Sequence, residues 1–293
     1  MSFVISTSST ADLNKELLEE CNIEYIPFIY TIGDGEYKDD LGQTIAPARF
    51  YEMIEKEGAM PTTSQINVQT YLDTFRPWLK SGKDILHLEL SSGISGSAQA
   101  LMIAKDQLSE EFPERNLYFH DTLAASAGLG LLTVLAADMR DAGKTGAEVD
   151  QWMTENKMRL QHWFYTTDLT HLKRGGRVSA ASALMGGMLN ICPLMHVDAE
   201  GKLIPVEKIR GKKNVLRAAY KKMEEFAENG TSYTGKCFIS HSDREDEAKE
   251  LARLIEENFN RMKEPVRIFD IGAVIGAHTG PGTIALFFYG EKR

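Results

Sequence analysis

Strand-like and helix-like segments alternate through the first half of this sequence, with only short loops between them. Apolar, β-rich runs at residues 3–6, 24–31, 84–90 and 116–120 indicate strands. Helices are expected between and after them, at residues 13–21 (capped by Asp12), 47–57, 68–80, 97–112 and 126–142. This order predicts a parallel sheet covered by helices on both faces. Residues 33–42 are rich in turn formers, so we expect a loop there.

The pattern changes after residue 156, where a mixed sheet is expected. Two β-rich runs, 194–197 and 202–209, flank a turn at 198–201 and indicate a hairpin. Further strands are expected at residues 163–167, 236–240, 266–270 and 284–289, and helices at 212–228 and 245–259. With 293 residues, the chain exceeds one ordinary core. We therefore expect a two-domain α/β protein, with a parallel-sheet domain over residues 1–160 and a mixed-sheet domain over residues 161–293.

Composition narrows the functional classes. A net charge of −9 argues against general nucleic-acid binding, which depends on phosphate contacts. Three cysteines, Cys21, Cys192 and Cys237, are odd in number and far apart, and the histidines lack metal-ligand spacing, so no disulfide framework and no metal site are expected. The first residues do not follow a signal-peptide pattern, and no apolar run reaches the roughly 18 residues of a membrane span. The sequence predicts a cytoplasmic protein without a cofactor.

The turn at residues 91–97, Ser-Ser-Gly-Ile-Ser-Gly-Ser, follows a strand and precedes a helix. Its backbone N–H groups and hydroxyls are placed to converge on an anion at the helix N-terminus. Its glycines would let a ligand approach the main chain closely. An ordinary serine N-cap with turn glycines explains the same residues. A nucleophile elbow is a third interpretation, although the Gly-x-Ser-x-Gly spacing of that motif is missing.

Two further segments carry uncharged hydrogen-bonding groups. Residues 61–65, Pro-Thr-Thr-Ser-Gln, are dense in hydroxyls, although a plain turn leading into a helix also accounts for them. His278 lies among the glycines of residues 272–282, as either a structural histidine or a ligand contact. Taken together, Thr63, Ser95 and His278 predict a site that holds a carboxylate without a salt bridge.

Two neighbouring segments, residues 172–179 and residues 180–191, each allow two interpretations. Residues 172–179 favour a helix that ends in cations and a glycine cap, as suits the helix dipole. A phosphate or partner contact through Arg174 or Arg177 is the functional alternative. Residues 180–191 are small, apolar and methionine-rich, which indicates a buried helix or a wall that adapts to a chain of methylenes.

A basic segment, residues 202–222, holds eight basic residues and one acid in an otherwise acidic chain. Charge runs of this kind usually form a solvated helix face. The alternative is a docking surface for an acidic partner or for anionic lipid headgroups, with Arg210 and Lys212 as candidate contacts.

In their order along the chain, these motifs resemble those of the DegV family of bacterial fatty-acid-binding proteins. The resemblance covers nearly the whole chain and rests on residues 9–13, 63–65, 91–96, 121–128, 172–177, 208–211 and 277–280. It implies one long-chain fatty acid buried between the two domains, with its carboxylate at Thr63, Ser95 and His278. It also implies supporting roles for loop residues Ser64, Ser92, Gly93, Gly96, Asp121, Ser126, Ala277 and Thr279.

The same resemblance implies an acyl carrier that is not itself a catalyst. Family members serve a fatty acid kinase whose separate ATP-binding subunit phosphorylates the bound carboxylate, and loading from an anionic membrane surface is expected. Neutral donors suit this role, because a cationic clamp would hold the added charge of an acyl phosphate too tightly. The alternative is a serine-dependent acyl hydrolase or transferase that uses Ser95 and His278, with Asp121 as the candidate acid.

Two positions depart from the family pattern. Ser8 stands where the family usually has an acid, and Cys192 precedes Pro193 where a lysine is common. Neither position touches the three carboxylate contacts. The departures leave acyl preference and kinase pairing open, and the sequence does not fix chain length, unsaturation or oligomeric state.

Overall fold

Strands and helices alternate along the chain in a computed structural model, which describes residues 3–178 and 191–293. The strands are β1 (Phe3–Ser8), β2 (Ile23–Ile26), β3 (Ile29–Ile32), β4 (Gly35–Lys38), β5 (Thr62–Ser64), β6 (Asp84–Glu89), β7 (Leu117–Asp121), β8 (Leu160–Thr166), β9 (Ile191–Val197), β10 (Leu203–Arg210), β11 (Cys237–His241), β12 (Arg267–Asp270) and β13 (Thr283–Tyr289). The helices are α1 (Lys15–Glu20), α2 (Pro47–Glu57), α3 (Val68–Lys80), α4 (Ser97–Glu111), α5 (Ala127–Asp141), α6 (Gly146–Asn156), α7 (Thr170–Arg174), α8 (Lys212–Phe226), α9 (Glu245–Asn258) and α10 (Ala273–Thr279).

Four strands form a parallel sheet in the order β2-β1-β6-β7, as the alternation of the first half predicts. Helices α3 and α4 contact the sheet through one group of buried apolar side chains, and α5 and α6 contact it through a second group. Every residue of β6 is buried. A central strand covered on both faces must be apolar throughout or must satisfy its polar groups. Strand β6 satisfies them, since Asp84 accepts a hydrogen bond from Asn116 and His87 is hydrogen-bonded to Glu89.

A small antiparallel sheet, β4-β3-β5, lies beside the parallel one and corrects two expectations. Residues 24–31, expected as one run, form β2 and β3 in different sheets. Pro27 separates them, because proline lacks the N–H that would continue a ladder. Residues 33–42, expected as a loop, include β4. The pairing of Tyr30 with Thr63 in this sheet fixes the position of the Thr63 backbone.

Six strands form the mixed sheet, in the order β10-β9-β8-β13-β11-β12. The hairpin of β9 and β10 is confirmed, and only β11 and β12 run parallel in this sheet. Helices α8 and α9 cover one face with their apolar sides. Cys192 of β9, which departs from the family pattern, is buried in that core.

Helix α5 joins the two large sheets, since it contacts β1 and β6 of one and β8, β11 and β13 of the other. One group of buried apolar side chains accordingly takes members from both sheets, such as Ile5 and Phe287. Gly128 makes this approach possible. A Cβ there would collide with the ring of His162 and with Phe287. The mixed α/β architecture is confirmed, and the sheets share a core across α5.

Three local expectations differ from the structure. Asn14, not Asp12, caps α1 by accepting a hydrogen bond from the Leu17 N–H. Helix α6 was not anticipated, although Thr145 and Glu148 form a capping box at its start. The glycine-rich segment after residue 272 contains α10. Within residues 3–178 and 191–293, no helix combines the length and the apolar character needed to cross a membrane.

Candidate functional site

A cavity of about 320 Å³ lies where the parallel and mixed sheets meet. Both halves of the chain contribute to its walls. Most of the lining is aliphatic or aromatic, and it includes Leu90, Ile94, Phe164, Val197, Leu203 and Phe287. A cavity with this lining is suited to an apolar ligand that carries a few polar groups.

The three residues predicted to hold a carboxylate, Thr63, Ser95 and His278, all line this cavity. Thr63 Oγ1 lies 2.8 Å from His278 Nε2, although 215 positions separate the two residues. Ser95 belongs to the turn between β6 and α4, and its Oγ lies 2.9 Å from Ser97 Oγ. Strand β5, the β6–α4 turn and α10 thus place three uncharged polar side chains around one space.

His278 is neutral in this setting. Burial, assisted by the positive charges of Arg177 and Arg174, lowers the pKa of its imidazole to about 4. Its Nδ1 has no hydrogen-bond partner among the described residues. Gly175 lies so close to Nδ1 that a Cβ at this position would collide with it. A neutral ring can donate one hydrogen bond and accept another, which suits contact with both Thr63 and a ligand oxygen.

A cation also lines the cavity, which the expectation of purely uncharged donors did not include. Arg177 follows α7, and its Nε donates to the Ile94 carbonyl over 3.1 Å. Arg174 donates from Nη2 to the Pro61 carbonyl over 3.3 Å. The two guanidinium groups therefore connect the α7 segment to the segments that carry Thr63 and Ser95. Both were candidates for partner contacts, and of the two only Arg177 is among the residues that line the cavity.

The glycines of the serine turn have a role different from the one expected. Gly93 and Gly96 have ordinary negative φ angles, so no unusual backbone conformation requires them. A Cβ on Gly93 would collide with backbone atoms of Glu200 and Gly201, and one on Gly96 would collide with Gln65. Their missing side chains let other parts of the protein, rather than a ligand, approach the turn.

Of the remaining supporting residues, two line the cavity and four do not. Thr279 lines it, with its hydroxyl donating to the Ile275 carbonyl over 3.2 Å. Ser126 also lines it, and its hydroxyl donates to Asp12. The side chains of Ser64 and Ser92 are exposed, Ala277 packs in the core, and Asp121 accepts hydrogen bonds from the backbone N–H groups of Ser92 and Leu123.

The arrangement needed for a serine hydrolase is not assembled. Within the described residues, Ser95 Oγ contacts Ser97 rather than His278, and His278 Nε2 contacts Thr63. The Asp121 carboxylate is engaged by backbone N–H groups, so it does not orient the imidazole. A histidine with a pKa near 4 is also a weak general base. The hydrolase alternative is therefore not supported.

Glu89 supplies a buried acid beneath the serine turn. Its Oε1 accepts hydrogen bonds from Ser8 Oγ and the Leu90 N–H, over 3.1 and 2.8 Å. Its Oε2 accepts one from the Tyr71 hydroxyl over 2.7 Å and lies 3.0 Å from His87 Nε2. Ser8, the position where the family usually has an acid, is thus in direct contact with an acid from the neighbouring strand.

A second cavity, of about 210 Å³, lies beside the start of α10, where Gly272 and Ala273 contribute to its lining. His278 of the first cavity, called the main cavity below, lies near the end of the same helix. Four carboxylates, from Asp12, Asp39, Asp40 and Asp270, contribute to its lining. Asp12 Oδ1 accepts a hydrogen bond from the Gly272 N–H over 2.9 Å, just before α10 begins. No group of three or more His, Cys, Asp or Glu side chains in the described part of the chain is arranged to hold a metal ion.

The basic segment meets the main cavity at Leu203, an apolar residue of β10 that lines it, while its charged residues are not among the lining residues. It covers β10, the edge strand of the mixed sheet, and most of α8. Arg210 is exposed at the end of β10, and Lys212 begins α8 with its Nζ 3.3 Å from Glu247. Lys222 is paired with Glu207 and Glu225. Some of the charge is therefore balanced within the protein, while Arg210 remains available to a partner.

Among the polar lining residues, His162 and Thr283 had not been singled out by the sequence analysis, and Gln65 had been named only as the end of the segment 61–65. Gln65 lies against Gly96 at the polar end, and His162 lies on β8 beside Phe287. Every residue of β8 is buried, so the strand lacks the alternation that would mark one face as a cavity wall. Residues 180–191, the expected methionine-rich wall, lie outside the described residues except for Ile191.

Comparisons with known proteins point to a single family. The family model described as "Uncharacterised protein, DegV family" matches residues 2–291. A DegV domain-containing protein of Clostridium perfringens is 38% identical over 291 residues, covering 99% of this chain and 98% of the relative. The structure of DegV, a fatty acid binding protein from Bacillus subtilis, superposes with a TM-score of 0.83 at 26% identity, over 99% of this chain and 100% of that chain. A fatty-acid-binding DegV family protein from Thermus thermophilus gives 0.84 at 27% identity, with the same coverage. The chain therefore belongs to the DegV family.

Proposed function

We propose that this protein binds one long-chain fatty acid, with the acyl chain in the main cavity and the carboxylate at Thr63, Ser95 and His278. The observation that carries the proposal is a largely apolar cavity at whose wall these three side chains converge. The DegV proteins of Bacillus subtilis and Thermus thermophilus, which share this fold, are described as fatty acid binding. We take the domains to be residues 1–160 and 161–293, with the ligand between them.

The apolar wall provides the affinity in this proposal. Burial is worth about 0.8 kcal/mol per CH₂, so a long acyl chain gains about 10 kcal/mol before ordering costs. The polar end then serves mainly to orient the carboxylate. Arg177 adds a positive charge there, but its Nε is already engaged by the Ile94 carbonyl. A cation held in this way stabilises an ionised headgroup without closing around it.

Lipid analysis of the purified protein tests the proposal directly. We expect a denaturing extract to release about one fatty acid per chain, and mass spectrometry to identify it. Protein stripped of lipid should take up added oleate or palmitate. The proposal is wrong if the extract contains no stoichiometric fatty acid and the stripped protein takes up neither ligand.

We further propose that the carboxylate is presented to a separate ATP-binding kinase subunit. Transfer of the terminal phosphoryl group to a carboxylate oxygen would give an acyl phosphate and ADP. The support is the family resemblance, together with a neutral His278 and the exposed Arg177 beside the headgroup. Incubation with ATP and the kinase subunit of the same host should yield a product that hydroxylamine traps as the hydroxamate. Ser95→Ala should lower its yield more than it lowers the amount of bound lipid.

The basic segment is proposed as the docking surface for anionic lipid or for an acidic kinase surface. Exposed charges are screened over about 8–10 Å at physiological salt, so docking should weaken as salt is added. Charge reversal of Arg210 together with Lys212 should slow acyl exchange with vesicles that contain phosphatidylglycerol, while the bound lipid content stays unchanged. Exchange that responds neither to salt nor to these substitutions would show that the segment is simply a solvated surface.

A further inference from the structure

His162 lies in the apolar wall of the main cavity. It belongs to β8, and its register partner on β13 is Phe287. The two rings meet edge to face, with centroids 5.5 Å apart at an angle of 88°. Gly128 of α5 lies against the Nε2–Cδ2 edge of the imidazole and against Phe287, where a Cβ would collide with both rings. Phe287 and α5 therefore hold the ring in place.

Neither ring nitrogen of His162 has a hydrogen-bond partner among the described residues, and the side chain is only 1% exposed. Burial lowers the pKa of this histidine well below its usual value, so the ring is neutral and carries one donor and one acceptor. Buried polar groups are nearly always hydrogen-bonded, and those that are not call for an explanation.

The other polar groups in this part of the wall are satisfied by the protein. Ser126 donates to Asp12 and lies 2.8 Å from Ser240. Thr279 and Thr283 each donate to a backbone carbonyl four residues earlier. Among these four residues, only His162 leaves hydrogen-bonding capacity unused within the described part of the chain, as His278 Nδ1 does at the polar end of the cavity.

The strand register places His162 well away from the carboxylate end. Thr283, close to the end of α10, pairs with Thr166, and four residues further along β13 Phe287 pairs with His162. Four residues of extended strand span about 13 Å. A fatty acid whose carboxylate lies near His278 would therefore pass His162 with the middle of its acyl chain.

We propose that the cavity accepts a long-chain fatty acid with a hydroxyl group part-way along its acyl chain, and that His162 hydrogen-bonds this hydroxyl. A hydroxyl matches the site because a neutral imidazole can donate to it or accept from it. A second carboxylate would not match, because burial of an added charge beside Phe164 and Phe287 is costly without a cation in contact. This inference rests on the proposed fatty acid binding and makes His162 the determinant of acyl-chain specificity.

Ricinoleic acid and oleic acid form a suitable pair of probes, because they differ by a single mid-chain hydroxyl. We expect the unaltered protein to bind ricinoleic acid at least as tightly as oleic acid. In His162→Phe, the affinity for ricinoleic acid relative to oleic acid should fall by about two- to tenfold, which is the value of one hydrogen bond. His162→Gln, which keeps a hydrogen-bonding side chain, should retain part of the preference.

His196→Phe is the matched control. His196 packs on the ring of Trp163, with centroids 4.1 Å apart, and contacts Gln161 instead of the cavity. Its substitution should leave the ratio of the two affinities unchanged. If neither fatty acid binds to the unaltered protein, the proposed function fails. If oleic acid binds but the ratio is the same with and without His162, fatty acid binding stands and the present inference is wrong.

A second measurement keeps the test valid if His162→Phe does not fold. In the unaltered protein labelled with ¹⁵N-histidine, ricinoleic acid should shift the His162 ring nitrogen resonances relative to their positions with oleic acid. Identical resonances with both ligands would overturn the inference, because a hydrogen bond to a ring nitrogen changes its shielding.

Discussion

The two cavities at opposite ends of α10 both bury titratable groups, but groups of opposite kinds. The main cavity holds His278 and His162, whose pKa values are lowered, so both rings lose their charge. The second cavity, which four aspartates line and which we call the acidic cavity, holds Asp12 and Asp39. Burial raises the pKa of Asp12, and it raises that of Asp39 to about 6. Burial is the largest cause in all four cases. Each cavity therefore favours neutral forms, whichever sign of charge its side chains could carry.

Asp12 and His278, the titratable groups at the two ends of α10, differ in how their polar atoms are used, although Asp39 Oδ2 in the acidic cavity also lacks a partner in the described residues. Asp12 is engaged by the Gly272 N–H and by Ser126, so its bonding capacity goes into holding the start of α10. His278, at the far end of the same helix, keeps Nδ1 without a partner in the described residues. The comparison teaches that buried polarity alone does not mark a ligand site. Bonding capacity that the fold leaves unused, beside an apolar wall, is the better indicator.

The largest expected effect is on fatty acid affinity, when a bulky side chain fills one cavity or the other. Ala285→Trp places an indole in the main cavity opposite Phe164. If it excludes four methylenes, the loss is about 3 kcal/mol, or about a hundredfold in affinity. Ile45→Trp, in the acidic cavity, should leave fatty acid binding unchanged. Mass spectrometry of the purified variants checks both, and a normal lipid content in Ala285→Trp would assign the ligand to another place.

The two cavities should also respond to pH in opposite directions. Asp39 holds its proton more tightly in the folded state, so its contribution to stability is greatest below about pH 4 and falls as the pH rises to about 6. His278 holds its proton less tightly in the folded state. Its contribution therefore rises as the pH increases from about 4 to about 6.5. Each shift corresponds to about 3 kcal/mol.

Urea unfolding of lipid-free protein between these pH values measures both contributions. The free energy of unfolding of Asp39→Asn, minus that of the unaltered protein, should increase with pH. The same difference for His278→Gln should decrease with pH. Lipid must be removed first, because a bound ligand stabilises the folded state by an amount that itself depends on pH. If the two differences changed with pH in the same direction, the comparison would be contradicted.

Smaller effects are expected where single hydroxyls meet the carboxylate. Thr63→Ala and Ser95→Ala should each weaken binding by about 0.5–1.5 kcal/mol, the net value of one hydrogen bond. Thr63→Ser keeps the hydroxyl and is the matched control. Isothermal titration with oleate checks the values. Unchanged affinity in both alanine variants would remove these side chains from the carboxylate site.

The smallest expected effect is a change in the pKa of His278, which distinguishes the contribution of nearby charge from that of burial. Arg177 lowers the pKa of His278 less than burial does, so Arg177→Gln should raise that pKa only part of the way toward its usual value. An NMR titration of the imidazole follows the change, and added salt should mimic it in the unaltered protein. Lys173→Gln, an exposed substitution in α7, is the control. A full return to the usual value would show that charge, not burial, dominates this cavity.

Much of the fold could be predicted from the sequence because the signals are local. The limits of α2 and α3 follow from Pro47 at a first helical turn and from amphipathic periodicity, and both helices appear at the expected residues. The expectations that failed depended on partners far along the chain. Asp12 looked like a cap for the next helix, but it bonds the Gly272 N–H, 260 positions away.

The same difference between local signals and distant partners applies to the candidate site. Thr63, Ser95 and His278 were predicted because hydroxyls and an imidazole beside glycines are visible in the sequence, and the structure places all three in the lining of the main cavity. Arg177 was assigned to a partner surface, since nothing local shows that its guanidinium turns back to Ile94. His162 had no signal at all, because its significance depends on what the surrounding strands and α5 leave unbonded.

The central position of β13 has a consequence for how the protein is made. This strand lies between β8 and β11 and supplies Thr283, Ala285 and Phe287 to the cavity wall. Ribosomes add about 5–20 residues per second, so β13 follows β8 by on the order of ten seconds. During that interval β8 has no partner strand on one edge, and the main cavity lacks the wall that β13 supplies. The cavity is therefore complete only after translation of the last strand, and until then the unpaired edge of β8 can pair with other strands.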